Sequence, residues 1–499
     1  MKSYYYLILI ILILLGLYLY YYYNRNDNME EVDLSLFIYP SWEDPDMNIY
    51  ELDFDMNRDI HSGTKRVFVE FLHITDPVME LESAKFKGQE VGVGIVQAGE
   101  NHFGTKIQNG YSYDFAQKLR NTVAEPFVTL SGRGHWRRLQ GRKNDPNLAH
   151  LMTKDQDYID RTAEFIVDFV KNTCCFRGVN INIERLVLMS KEMVDKYIRF
   201  LEYLVKIAHE VGIQVIFTTI TETAPYEYVP NNPNGIPIHF SDPDVEGYIP
   251  RHMEEGYFYH NKIYHIPFDY INYMTIDQFW ASGDKTLGSY DFPSMKKYLD
   301  ISKEHDPYFK KRTIVQFSNY TVWGYNQGFF DNNGIIISDE DRIKFVNKGD
   351  PPALGWQFQI VTWPKLLKLL KGEDDWLWRA WTGKNDDIRW DETAGYSLEQ
   401  GFRLENGEKV IVLGDGFINR REYDVKDGEH GPIEETIVIV SDQYSMDKKA
   451  KWVYDNYGIN KFSIWHGGRD MPWFSKKTIE YLNNGNGIPI FDIDNPCNI

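Results

Sequence analysis

The chain is expected to fold as an α/β protein: a (β/α)8 barrel with a small α+β domain inserted between its seventh and eighth strands. Three observations predict this. Short runs rich in β-branched and aromatic residues alternate with amphipathic helical periods, eight such runs follow one another, and one long segment breaks the rhythm before the last. Alternation of strand and helix calls for parallel strands joined by crossover helices, and eight of them favour a closed TIM-type barrel over an open sheet.

Residues 1–3 form a short tail, and residues 4–23 an uninterrupted apolar and tyrosine run. About 20 such residues cross the ~30 Å hydrocarbon core as a helix, and tyrosines at both ends suit its interfaces. No small-x-small cleavage site follows, so the run reads as a transmembrane signal anchor rather than a cleaved signal peptide. Lys2 precedes it, while Asp27, Glu30, Glu31 and Asp33 outnumber Arg25 after it. The positive-inside rule then puts the main body outside the cell or in a lumen, on a single-pass membrane protein. Residues 24–62 are acidic but hold Leu36, Phe37, Ile38, Tyr39 and Trp42, and read as a stalk packing partly on the body.

Barrel strands one to seven are expected within residues 63–320, at 66–74 (RVFVEFLHI), 91–96 (VGVGIV), 126–130 (PFVTL), 179–183, 215–220, 270–275 and 313–317. Helical periods are clearest at 157–171 and 191–211. Residues 321–435, rich in Trp, Gly and Asp, are too long for a structureless loop in a compact domain and read as the insertion. Its Trp363, Trp376, Trp378, Trp381 and Trp390 read as a small aromatic core, with stacking on sugars as the alternative. The barrel closes with the strand 462–465 inside residues 436–485, and 486–499 form a tail.

With 499 residues, 43% hydrophobic and 15% aromatic, the chain supports a large core, which excludes a disordered or collagen-like protein. A net charge of −19 argues against nucleic acid as a partner, since phosphate binding needs a basic face. Cys174, Cys175 and Cys497 give neither a disulfide framework nor a zinc spacing. No HExxH pattern or glycine-rich phosphate loop is present, so no metal or cofactor is expected.

The chemistry concentrates in residues 176–184 (FRGVNINIE). As a strand, Asn180, Asn182 and Glu184 share one face and Val179, Ile181 and Ile183 the other. Helices cover the outside of a barrel, so the polar set faces inward, with Glu184 at the carboxyl end where barrel enzymes carry catalytic groups. Buried polar groups in a row need partners, either each other or a ligand.

Residues 177–184 resemble the signature strand of glycoside hydrolase family 18, the chitinase family, Asp-Gly-x-Asp-x-Asp-x-Glu, with Gly178 and Glu184 retained. Residues 128–134 (VTLSGRG) are similar to its Ser-x-Gly-Gly strand and contain Ser131. Residues 269–277 (DYINYMTID) resemble its Asp-Tyr-Ile-Asn-x-Met-x-Tyr-Asp motif, with Met274 and Asp277. Residues 462–470 (FSIWHGGRD) resemble the last strand, whose tryptophan, here Trp465, floors the sugar site. Four motifs in order extend the likeness from about residue 66 to 470.

The resemblance implies substrate-assisted hydrolysis of chitin or other β-linked N-acetylglucosamine glycans. Glu184 would be the general acid and then the base. Asn182, accepting the acetamido N–H, and the retained Asp277 would be catalytic with it; Asn180, Met274, Ser131 and Trp465 would bind substrate, Trp465 stacking beneath the sugar, with Trp136 and Trp280 at neighbouring subsites. Arg177, Asn180 and Asn182 replace the family's three aspartates, and Ile276 its tyrosine. The Asn-x-Glu arrangement also resembles the endo-β-N-acetylglucosaminidases of glycoside hydrolase family 85. Two functions follow: a membrane-anchored glycosidase, or a glycan-binding surface protein whose barrel has lost catalysis.

Overall fold

The computed structural model describes residues 33–38, 64–75, 82–95, 99–100, 106–107, 124–133, 147–173, 176–184, 191–220, 263–276, 288–318, 321–326, 356–361, 376–378, 386–389, 401–420, 433–441 and 443–465. Eight parallel strands close a barrel: β1 (Asp33–Ile38), β2 (Thr64–Ile74), β3 (Glu125–Arg133), β4 (Gly178–Glu184), β5 (Gln214–Ile220), β6 (Tyr270–Met274), β7 (Thr313–Ser318) and β8 (Lys461–Trp465). Neighbours run in chain order from β2 to β7, then β8, and β1 bonds to both β8 and β2 to complete the circle.

Helices cover the outside because their apolar stripes match the outward strand residues. In α2 (Gln156–Thr173), which follows the short α1 (Asn147–Thr153), Ile159, Ala163, Ile166 and Val170 recur at helical spacing and are buried. Tyr197, Leu201, Leu204 and Ala208 do the same in α3 (Lys191–Glu210). Both stripes join one apolar layer with Val128, Val179, Ile181 and Ile183. Before β7, α4 (Phe292–His305) starts at Asp291, whose carboxylate accepts the Ser294 N–H at 2.7 Å. Such a cap stabilises a helix by about 1 kcal/mol. The helix α5 (Gln443–Tyr457) precedes β8.

Two strands differ from the sequence expectation. Residues 24–62 do not lie wholly in a stalk, because Asp33–Ile38 is the first barrel strand. Leu34 and Leu36 enter the outer apolar layer while Ser35 and Phe37 alternate with them. Without this strand, β2 and β8 would expose unpaired edges. Residues 91–96 are not a barrel strand; Val93–Ile95 pairs antiparallel with the end of β2. The described residues of the connection before it fold as a hairpin, Lys85–Phe86 against Gln89–Glu90, and include no crossover helix of the kind that parallel pairing needs.

The insertion lies between β7 and β8 as expected, and its described part is an antiparallel sheet. Its path runs Trp356–Val361, Thr321–Asn326, Ile433–Val440, Lys409–Arg420, Asp386–Arg389, Trp376–Trp378, with Phe402–Arg403 on Lys409–Arg420. Ile433–Val440 carries it past the expected boundary at 435. Trp363, Trp381 and Trp390 lie outside the described residues.

A buried ion pair fastens this sheet to the barrel. Glu408 and Lys449 on α5 are both 0% exposed and 2.6 Å apart. The Glu408 carboxylate also accepts the Ser289 N–H and the Ser441 hydroxyl, each at 2.6 Å, and the Ser289 hydroxyl. Burial alone would push the Glu408 pKa up; the Lys449 ammonium and the donated hydroxyls outweigh it and hold it below the usual value. Gly288, at φ +64°, leaves room for the carboxylate, since a Cβ there would fall 2.1 Å from Oε2.

Candidate active site

The barrel interior is filled in stages. Near the amino ends of the strands, Arg66 pairs with Asp33 at 2.5 and 3.0 Å, and its guanidinium lies 4.0 Å from the Tyr270 ring centroid. Phe37, Phe68, Phe127 and Ile216 form a separate interior cluster. Gly178 is required here: a Cβ would fall 2.6 Å from the Phe127 ring and 2.3 Å from the Gln214 carbonyl oxygen.

A belt of hydrogen-bonded side chains comes next. Thr218 donates to Asn180 Oδ1 at 2.7 Å, Asn180 Nδ2 reaches Thr129 at 3.4 Å, and Asn272 Nδ2 donates to Thr218 at 3.2 Å and Gln316 Oε1 at 2.9 Å. Ser463 completes it with a 2.7 Å bond to Asn272 Oδ1. Asn180, read from sequence as a ligand contact, is thus a fully buried member of this network.

Beyond the belt, at the carboxyl ends, the register places Ser131 beside Asn182 and Arg133 beside Glu184. Ser131 is 7% and Asn182 4% exposed. Met274 and Ile276 are buried near the end of β6, and Ile276 supplies no hydroxyl where the resemblance implies one. Trp465, at the end of β8, is partly buried with Phe37 5.0 Å away, centroid to centroid. The backbone of Glu184 closes β4 with the inward parity of Asn180 and Asn182. Asp277, Trp136 and Trp280 lie outside the described residues.

Among the described residues, Ser35 Oγ, Ser131 Oγ, Asn182 Oδ1 and Gln316 Nε2 are interior barrel atoms buried without a hydrogen-bond partner. Each such atom costs about 1–3 kcal/mol when left unsatisfied. Ser35 and Gln316 are linked in register through Ser463 at the belt, where an enclosed water is the ordinary partner. Ser131 and Asn182 stand near the carboxyl ends of their strands, the end at which barrel enzymes bind ligands that can supply such bonds. The sequence reading did not single out Thr129, Thr218 and Gln316, although their alternation with Val128, Phe217 and Val315 carried the signal. Among the described residues, no three His, Cys, Asp or Glu side chains are grouped to hold a metal.

The described strands define a closed (β/α)8 barrel, a fold that solved structures share. Over 91% of this chain and 99% of its own, the C-terminal domain of a protein assigned as a chitinase from Desulfitobacterium hafniense DCB-2 superposes with a TM-score of 0.52 at 13% identity. A chitinase from Chromobacterium violaceum ATCC 12472 matches over 91% of this chain and 100% of its own, at a TM-score of 0.47 and 12% identity. A family GH18 chitinase from Cycas revoluta, solved with (GlcNAc)4, matches over 90% and 99%, at 0.47 and 11%. At such identities the likeness is one of fold. No family model and no curated protein matches the chain.

Proposed function

We propose that the chain is a chitinase-like glycoside hydrolase acting on β-linked N-acetylglucosamine glycans. The observation that carries this reading is the buried, unpartnered Asn182 Oδ1, beside Ser131 and two residues before Glu184 on one inward face. An amide oxygen in that position suits the N–H of a sugar acetamido group. Glu184 donates its proton to the glycosidic oxygen while the acetamido carbonyl oxygen attacks the anomeric carbon and the leaving sugar departs with that proton. Glu184 then takes a proton from water as the water opens the cyclic intermediate. The nucleophile is the substrate's own, so no second enzyme carboxylate is required.

Asparagine at position 182 positions the acetamido group without supplying a negative charge to the cationic intermediate. An electrostatic partner of that kind contributes about 2.7–4 kcal/mol, roughly 10²–10³ in rate. Turnover of a chromogenic chitotriose by Asn182→Asp should therefore exceed that of the wild type by up to about that factor. Loss of turnover in Asn182→Asp would contradict the assigned role. Residues 4–23 anchor the hydrolase with its body extracellular or lumenal; among the described residues no helix is long and apolar enough to cross a membrane, and 4–23 lie outside them. Alkaline carbonate should leave the full chain with membranes and release a chain lacking residues 1–23; release of both would contradict the anchor.

A further inference from the structure

The connection from β2 to β3 carries more structure than closure of the barrel requires. After β2 ends at Ile74, its described residues form the hairpin Lys85–Phe86 against Gln89–Glu90 and the short strand Val93–Ile95. The hairpin lies against α2. Phe86 meets Phe165 edge-on with 6.2 Å between centroids, and Lys87 pairs with Glu164 at 3.2 Å. The backbone between hairpin and strand is held as closely. The Gly92 N–H donates to Thr162 of α2 at 2.9 Å, and the Gly92 carbonyl oxygen accepts the Thr75 N–H at 3.0 Å. A Cβ on Gly92 would fall 2.4 Å from Leu151 of α1, so this approach requires glycine.

A cavity of about 190 Å³ remains between these pieces, lined from the connection by Thr75, Ser83 and Glu90 and from the corner between α1 and α2 by Lys154 and Tyr158. At about 30 Å³ per water it holds roughly six waters, and it is smaller than the ~300 Å³ at which pockets for drug-sized ligands begin. A molecule the size of serine fits; a chitin oligomer does not.

The lining carries one charge of each sign. Glu90 is exposed at the rim and Lys154 is partly buried. Among the described residues neither makes an ion pair, and the Lys154 ammonium has only the Tyr158 ring, 6.0 Å away at its centroid. The Glu90 charge reaches that same side chain: after burial, it is the next cause that raises the Tyr158 pKa, against the opposing charge of Arg161. Thr75 and Ser83, whose hydroxyls are 2.9 Å apart, add polar groups to the wall. A ligand bearing both charges complements an ammonium and a carboxylate that line one cavity without touching. A simple anion would meet Glu90, a simple cation would meet Lys154, and a neutral sugar would leave both charges unpaired.

We infer that this cavity is a second binding site, which takes a free α-amino acid with a small side chain. The carboxylate of the amino acid pairs with Lys154 and its ammonium with Glu90, and the Ser83 and Tyr158 hydroxyls are further partners. The site is separate from the barrel interior and does not depend on the sugar-binding reading above.

The test is calorimetric titration of the full chain with glycine, L-alanine and L-serine in turn. At least one of them should bind. Lys154→Met and Glu90→Gln, each with its fold verified by circular dichroism, should both weaken that binding about tenfold or more. Acetate and methylammonium, which carry one of the two charges each, should bind at least about tenfold more weakly than the amino acid. No heat from any of the three amino acids would overturn the inference. So would unchanged affinity in either folded variant, or acetate or methylammonium binding as tightly as the amino acid.

Discussion

Glu408 and Asn182 are both buried, at 0% and 4% exposure, yet the structure treats them in opposite ways. Glu408, where the inserted sheet meets the barrel, is surrounded by the Lys449 ammonium, two serine hydroxyls, the Ser289 N–H and the Asn406 amide, all within hydrogen-bond distance. Asn182, at the barrel mouth, has an amide oxygen with no partner among the described residues, and its neighbour Ser131 has a hydroxyl in the same state. The first arrangement contributes attachment, because every cost of burying charge is met inside the protein. The second costs stability and offers hydrogen bonds to something else. Satisfaction of buried polar groups, rather than their presence, separates the structural cluster from the candidate site.

Lys449→Met attacks the contrast hardest. It leaves Glu408 buried without its counter-charge, a loss of about 3–5 kcal/mol that a urea unfolding curve would register. A loss below about 1 kcal/mol would mean that the ion pair does not fasten the sheet. Asn182→Leu should do the reverse and leave the ligand-free chain unchanged or more stable by about 1 kcal/mol, while abolishing sugar binding. Destabilisation as large as that of Lys449→Met would erase the distinction.

Acid sharpens the same comparison more gently. The folded pKa of Glu408 lies below the unfolded value of about 4.3, so its stabilisation is complete above that value and is lost as pH falls through the folded one. The stability gap between wild type and Glu408→Gln should therefore narrow below about pH 4, and a gap constant into that range would contradict the assignment.

Much of this was legible in the chain. The alternation in VNINI fixed the inward parity of Asn180 and Asn182, and Val179, Ile181 and Ile183 are buried in the outer layer as that alternation requires. The first strand was harder to see, because DLSLFI sits in an acidic stretch and only its pairing with β2 and β8 gives it a place. VGVGIV has strand composition, but composition does not reveal whether a crossover helix exists to make it parallel. The cavity beside Gly92 was hidden for a different reason, because residues 75–92 and 154–158 meet only through the tertiary fold. The Glu408–Lys449 pair joins residues 41 apart in sequence and has no local signature.

The central claim is that the barrel mouth cleaves β-linked N-acetylglucosamine through Glu184. Its most direct test is release of chromophore from a chitobiose or chitotriose glycoside by the purified chain, beside Glu184→Gln with its fold verified by circular dichroism. The account predicts release by the wild type and none above background by the variant. Equal release from both, or none from the wild type across chitin oligomers and N-glycans, would contradict it.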